Sequence, residues 1–220
     1  MALNYYYILN DINMKRLTLL TLFICFAITK SFSQDFEGTI LFEFTYMNLT
    51  EEMKKMLPEE PPQSIFSIKG TKLKMEMDMM GTEMVMISDV TTNTSTSYTD
   101  VMGQKIKTIS KLDDGEEIEV ILIDGETKRI AGYLCKKAII KQADSPDVEV
   151  YYTEDLKSVA FSSMQSQFKK LKGIPLEYQV HNEGMSMITS AKEVIKKSID
   201  NSIFNPPAGD YKEAPKTPGY

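Results

Sequence analysis

The chain is poor in the residues that carry most enzyme chemistry. His181 is its only histidine. A Ser-His-Asp triad would have to use it, and no G-x-S-x-G is present. A zinc centre with several His or Cys ligands is excluded on numbers alone. P-loop and G-x-G-x-x-G motifs are missing, and with them the usual phosphate and dinucleotide cradles. The acidic run "DDGEE" at 113–117 lacks the alternating spacing of a calcium loop and reads as a solvated hairpin tip. Paired carboxylates for glycoside chemistry need only proximity, and nothing points to them. No catalytic residue, no cofactor and no enzyme activity is expected.

Cysteine and positive charge are also scarce. The chain has two cysteines, Cys25 and Cys135. Net charge is −6, and removing Lys15, Arg16, Lys30 and Asp11 with residues 1–33 takes it to −8. An acidic chain without a basic stripe argues against nucleic acid and against tight docking on anionic lipid. The longest apolar run, Leu17 to Thr29, is short of the roughly 20 residues of a transmembrane span.

That run has another reading. Lys15 and Arg16 precede it and Ser31 to Gln34 supply small residues after it, which is the order of a secretory signal peptide. Cleavage is expected after Ser33, with translation starting at Met14. Cys25 sits inside the run behind the bulky Ile24, which argues against lipid attachment there. The expected organisation is a signal peptide over 1–33, one β-rich domain over 34–211 and a flexible, Pro/Gly-rich tail over 212–220. The destination is the periplasm or the cell exterior.

Cys135 is then unpaired in an oxidising compartment, and the fold rests on its core. A nucleophilic cysteine needs a base. The only histidine lies far away in sequence, and Lys136 alternates to the opposite strand face. A small core residue in "YLCKKAII" is the favoured reading, ahead of an intermolecular disulfide or a redox thiol.

Strand patterns dominate what is present. In "FEGTILFEFTY", Phe36, Ile40, Phe42, Phe44 and Tyr46 share one face, with Glu37, Thr39, Glu43 and Thr45 on the other. Asn48 and Glu51 form a capping box that predicts a helix, with Leu49, Met53, Met56 and Leu57 on one side and a stop at Pro58. Short strands then recur about every ten residues between turn signals, as in a meandering sheet. Asp124-Gly125 reads as a turn before "YLCKKAIIKQ", and "VEVYYT" pairs with that strand. Phe161, Met164, Phe168 and Leu171 have helical spacing up to Gly173. "PLEYQVHN" and "MSMITSAKEV" read as a late hairpin. The predicted class is mainly β (α+β), a curved antiparallel sheet or half-barrel with two short helices on its concave side.

Methionine is the unusual excess, with 15 residues, six of them in "MEMDMMGTEMVM". Met75, Met77 and Met79 share a face of one strand, and Met84 and Met86 a face of the next. Three readings compete: a sheet face packed on a helix, the wall of an apolar cavity, or a soft-metal site for Cu(I) or Ag(I). The leading expectation is that Phe42, Phe44, Met75, Met77, Met79, Met84 and Met86 line a cavity for lipid or a lipidated polypeptide. Phe161, Met164 and Phe168 would form its movable plug. The alternative is an envelope interaction module with a packed core.

Four segments in order, "DGETKRIAGYLCKKAII", "VEVYYTEDL", "LKGIPLEYQV" and "IDNSIFNPPAGDYK", resemble an exported bacterial family. It is catalogued as domain of unknown function 4412, and the resemblance runs from about Phe36 to Tyr211. It implies a Gram-negative envelope protein and supplies no catalytic residues. At the level of fold, the expected sheet with helices on its concave side is similar to periplasmic lipoprotein carriers, which hold acyl chains there.

Overall fold

Alternation of apolar and polar residues builds one sheet. The computed structural model describes residues 35–50, 52, 60–79, 81–112, 118–141, 146–182 and 185–214. Its first six strands run in sequence order: β1 (Gly38–Met47), β2 (Gln63–Lys69), β3 (Lys72–Met79), β4 (Thr82–Asp89), β5 (Thr94–Val101) and β6 (Gln104–Lys111). The next are β7 (Glu119–Ile130), β8 (Tyr133–Lys141), β9 (Val148–Thr153), β10 (Ile174–Asn182), β11 (Met185–Lys196) and β12 (Lys212–Glu213). Their order across the sheet is β12-β6-β5-β4-β3-β2-β1-β11-β10-β9-β8-β7. All pairs are antiparallel except β12 with β6.

This order curls the sheet. β6 and β7 are consecutive in sequence yet lie ten strand spacings apart. A flat sheet would separate them by about 48 Å at ~4.8 Å per strand. The 112–118 link reaches about 28 Å at most, at ~3.5 Å per residue. The sheet must therefore bend until β6 and β7 come within that reach, and it is observed as one large open curved sheet.

The inner face carries the helix α1 (Val159–Met164). Ser158 caps it, its side chain accepting from the Phe161 N–H. Gln165, at φ −116° and ψ 80°, leaves helical geometry and a 3-10 turn follows over Ser166–Phe168. The helix predicted up to Gly173 is therefore much shorter. The helix predicted over 48–57 falls mostly outside the described residues. Asn48, its expected cap, has φ 56°, which is not a cap conformation. Among the described residues the helical segments are α1 and two 3-10 turns; Glu52, inside the first predicted helix, is itself helical, and the rest of 51–57 lies outside the described residues.

Two turn assignments also change. β6 and β7 do not pair, so "DDGEE" is not the tip of a hairpin between them; residues 113–117 lie outside the described residues. Asp124-Gly125 is not the turn before β8. β7 runs through it to Ile130, with a register shift between Ile123 and Thr127. The turn lies at Ala131-Gly132, where φ is 46° and 86°. The β8–β9 and β10–β11 pairings follow the sequence pattern.

The outer face is crossed by residues 197–214. Ile199 and Phe204 are buried on it, the latter closing a 3-10 turn over Asn201–Phe204. The Ile199 N–H donates to Glu37 at 2.7 Å, and Lys69 bridges to the same carboxylate at 3.3 Å. Tyr211 then meets Tyr98 edge-on, ring centroids 5.2 Å apart. Lys212–Glu213 pair with Ile106–Lys107, so these two residues of the expected flexible tail are a strand.

Gly38 is the tightest point of this arrangement. A Cβ there would lie 2.1 Å from the Ile195 carbonyl oxygen, and φ is 154°. Gly81 has φ 79° and open space around it. Gly38→Ala should cost about 2–4 kcal/mol, because backbone must move. Gly81→Ala should cost only the ~1–2 kcal/mol of the left-handed conformation. Chemical denaturation of the two variants checks this, and equal losses would mean that β1 and β11 separate freely.

Candidate functional site

Strand register lays the inner face out in rows. One row across β1 to β6 is Phe42, Ser64, Met77, Met84, Thr99 and Ile106. The next is Ile40, Phe66, Met75, Met86, Ser97 and Thr108. The second row passes from Ile40 and Phe66 through two thioethers to the hydroxyls of Ser97 and Thr108; the first has Ser64 before its thioethers and ends on Thr99 and Ile106.

The first part of the rows is closed by the chain itself. Phe42 is 0% exposed, Phe161 1% and Phe168 0%. Phe161 stacks tilted on Phe66 at 5.5 Å and lies 6.4 Å from Phe42. Phe168 meets Tyr178 edge-on at 4.8 Å. Phe44 is buried beside Thr189, its register partner. Met164 is partly buried against this core. Lys170 donates to the Ile118 carbonyl, tying the helix segment to the start of β7.

The thioether part is half open. Met75, Met77, Met84 and Met86 are all half-buried. Met75 opposes Met86 and Met77 opposes Met84. The four therefore form a two-by-two array on one face. Only Met75 of the four is among the residues packed against the core. Met79 pairs with Thr82 through its backbone, and its side chain lies outside the described residues.

The sequence reading missed the hydroxyl part. Ser95, Ser97 and Thr99 alternate with Thr96 and Tyr98 along β5, which was the available signal. Ser64 and Ser88 are 1% and 2% exposed on the same face, and neither Oγ has a hydrogen-bond partner among the described residues.

Carboxylates and lysines on the opposite face pair with each other. Glu177 takes Lys128 at 2.6 Å and the Ser190 hydroxyl at 2.9 Å. Lys137 stands 3.2 Å from both Glu126 and Glu149, which raise its pKa. The Ile199 N–H lowers the pKa of Glu37. That is the opposite of the upward shift a general acid needs. No group of three His, Cys, Asp or Glu that could hold a metal occurs among the described residues. The side chain of His181 lies outside them.

A family model matches residues 36–211, which hold strands β1 to β11 and most of the crossing segment. The chain belongs to the family Domain of unknown function (DUF4412). No curated protein matches it. Of solved structures, PNGF-II in space group P21 is 20% identical, with a TM-score of 0.49 over 80% of this chain and 31% of that one. The DUF4412 chain thus spans about a third of PNGF-II. An uncharacterized conserved protein from Thermus thermophilus is 9% identical, with a TM-score of 0.49 over 81% of this chain and 90% of that one. Among the described residues, no helix is long and apolar enough to cross a membrane.

Cys135 lies on β8 opposite Lys128 and is 0% exposed. Its Sγ is 3.7 Å from the Tyr133 carbonyl oxygen. Burial pushes the thiol up to about 11, and the Glu177 carboxylate adds to the shift. A buried thiol of that kind is inert. It should resist alkylation in the folded protein and react only on unfolding. Between its ordinary value of 9.0 and about 11, the unfolded chain gives up this proton first. Cys135 should therefore contribute stability below pH 9 that is lost as pH rises toward 11. Denaturation of wild type and Cys135→Ala across that range reads it, and an identical slope in both would assign the titration to another group.

Proposed function

We propose that this chain is an exported, non-enzymatic envelope protein that binds an apolar chain along the thioether strip of β3 and β4. The ligand class is a lipid or a lipid-modified polypeptide. The observation that carries the reading is the two-by-two array of half-buried methionines, continuous with the core through Phe66 and Met75. Flexible, polarizable thioethers adapt to apolar chains of varied shape. The ring cluster of Phe42, Phe66 and Phe161 already fills the space under α1. A ligand would therefore lie on the open flank between α1 and β5, with Met164 at its border. Phe161 and Phe168 would have to shift for deeper entry. The basic pair and apolar run at the start of the chain support export.

A second reading has an observation of its own. Ile109 on β6 and Leu122 on β7 are 56% and 57% exposed, on strands at or near the two ends of the sheet. These suit a protein-interaction module with a packed core.

Native mass spectrometry of protein expressed with export, before and after organic extraction, separates the two. Co-purifying phospholipid or acylated peptide is the expected result. Met77→Asp should weaken uptake of an offered lipid about thirtyfold, for ~2 kcal/mol of lost apolar contact, with circular dichroism unchanged. A clean apo mass with no lipid uptake would transfer the assignment to the interaction module.

A further inference from the structure

The thioether array is also a donor set. We propose that Met75, Met77, Met84 and Met86 form a binding site for a soft monovalent cation, Cu(I) or its redox-inert analogue Ag(I).

Register supplies the geometry. Residues directly opposite on antiparallel strands have Cβ atoms about 5 Å apart, and the next residue on the same face lies ~7 Å along the strand. Met75 and Met86, and Met77 and Met84, are such opposite pairs. Each Met reaches two further bonds beyond Cβ to its sulfur and has three rotatable bonds. Three or four sulfurs can therefore converge over the centre of the array. Two opposite pairs on one face achieve this without any backbone change.

Chemistry supplies the selectivity. Thioethers are soft, neutral donors. They suit soft ions such as Cu(I) and offer little to Mg, Ca or Mn, which take hard oxygen ligands. Zinc sites use thiolate, imidazole or carboxylate, and the two rows hold none of these. The positive charge left on the site is balanced from behind. Asp78 and Glu83 lie on the other face of the same hairpin, in a chain of net charge −6, while Glu76 there is paired with Lys74 at 2.7 Å. The half-burial of the array leaves a solvent path for the ion while drying the donors on one side.

The residue choice is informative beside its neighbours. β1, β2 and the start of β3 fill the same face with Ile40, Phe66, Ile68 and Leu73. β-Branched and aromatic residues fit a pleated surface best. The β3–β4 positions further along use sulfur four times and no Ile, Val or Phe.

This site does not rest on the lipid reading, and silver retention tests it independently of lipid uptake. Leucine matches methionine in volume and keeps the strip apolar. The test titrates Ag(I) into the mature protein, followed by native mass spectrometry and by the methionine methyl resonances. One retained ion per chain is expected, with the four array methyls shifting together. Met77→Leu/Met84→Leu should lose the ion while keeping its circular-dichroism spectrum and thermal unfolding. Cys135→Ala should keep the ion. The proposal is overturned if the wild type retains no silver, if the leucine variant still holds it, or if Cys135→Ala loses it.

Discussion

A sheet whose second and last strands, ten spacings apart, are joined by a seven-residue link cannot lie flat. The 112–118 connection ties β6 to β7 across ten strand spacings, and everything else follows from the bend it imposes. Bending makes one face concave, and strand alternation has already made that face apolar from β1 through β4. A concave apolar face has to be covered, by the chain or by something else. The chain supplies Phe161 and Phe168 on a short helix and turn. These seat on Phe42, Phe66 and Tyr178, the widest side chains available there.

The cover is too small for the sheet. α1 has six residues and touches β2, β3 and β4. Its aromatic contacts fall on β1 and β2, and the face beyond Met75 is left with half-exposed thioethers and then hydroxyls. The outer face is treated differently. The segment 197–214 runs from the end of β11 to pair on β6, held by Glu37 at one end and Tyr98 at the other. The outer strap is closed by hydrogen bonds, an ion pair and a strand pairing. The inner strip has only its side chains. That asymmetry locates the candidate site.

Period-two alternation made the strands readable, because in a half-buried sheet every second residue reports its face. The Phe36–Tyr46 face, the Met75/Met77 and Met84/Met86 sharing, and the β8–β9 and β10–β11 pairs all came from that signal. The errors came from turns. Glycine beside aspartate serves equally for a hairpin, a bulge or a link between distant strands, and local chemistry does not say which. "DDGEE" joins strands that never meet, and Asp124-Gly125 is an interruption within β7. The helix was overextended because Phe161 and Phe168 keep helical spacing across Gln165, where the backbone leaves the helix and a 3-10 turn takes over. The strand at Lys212–Glu213 was invisible, since the Pro/Gly-rich tail over 212–220 read as a flexible end rather than the close of a strap.

The site was half legible for a related reason. Sequence spacing tells which methionines share a face of one strand, but not how two strands align. A shift of one residue in register would have put Met84 and Met86 on the outer face, opposite Glu76 and Asp78. The register that forms does the reverse and matches sulfur with sulfur twice. Packing alone does not require that outcome, because leucine would fill the same volume. It does matter to anything that needs several sulfurs at once. An apolar chain needs area and is indifferent to the atom that provides it, whereas a soft ion needs the lone pairs. The same four side chains can meet either demand, and the difference between sulfur and carbon at Met77 and Met84 decides which one they serve.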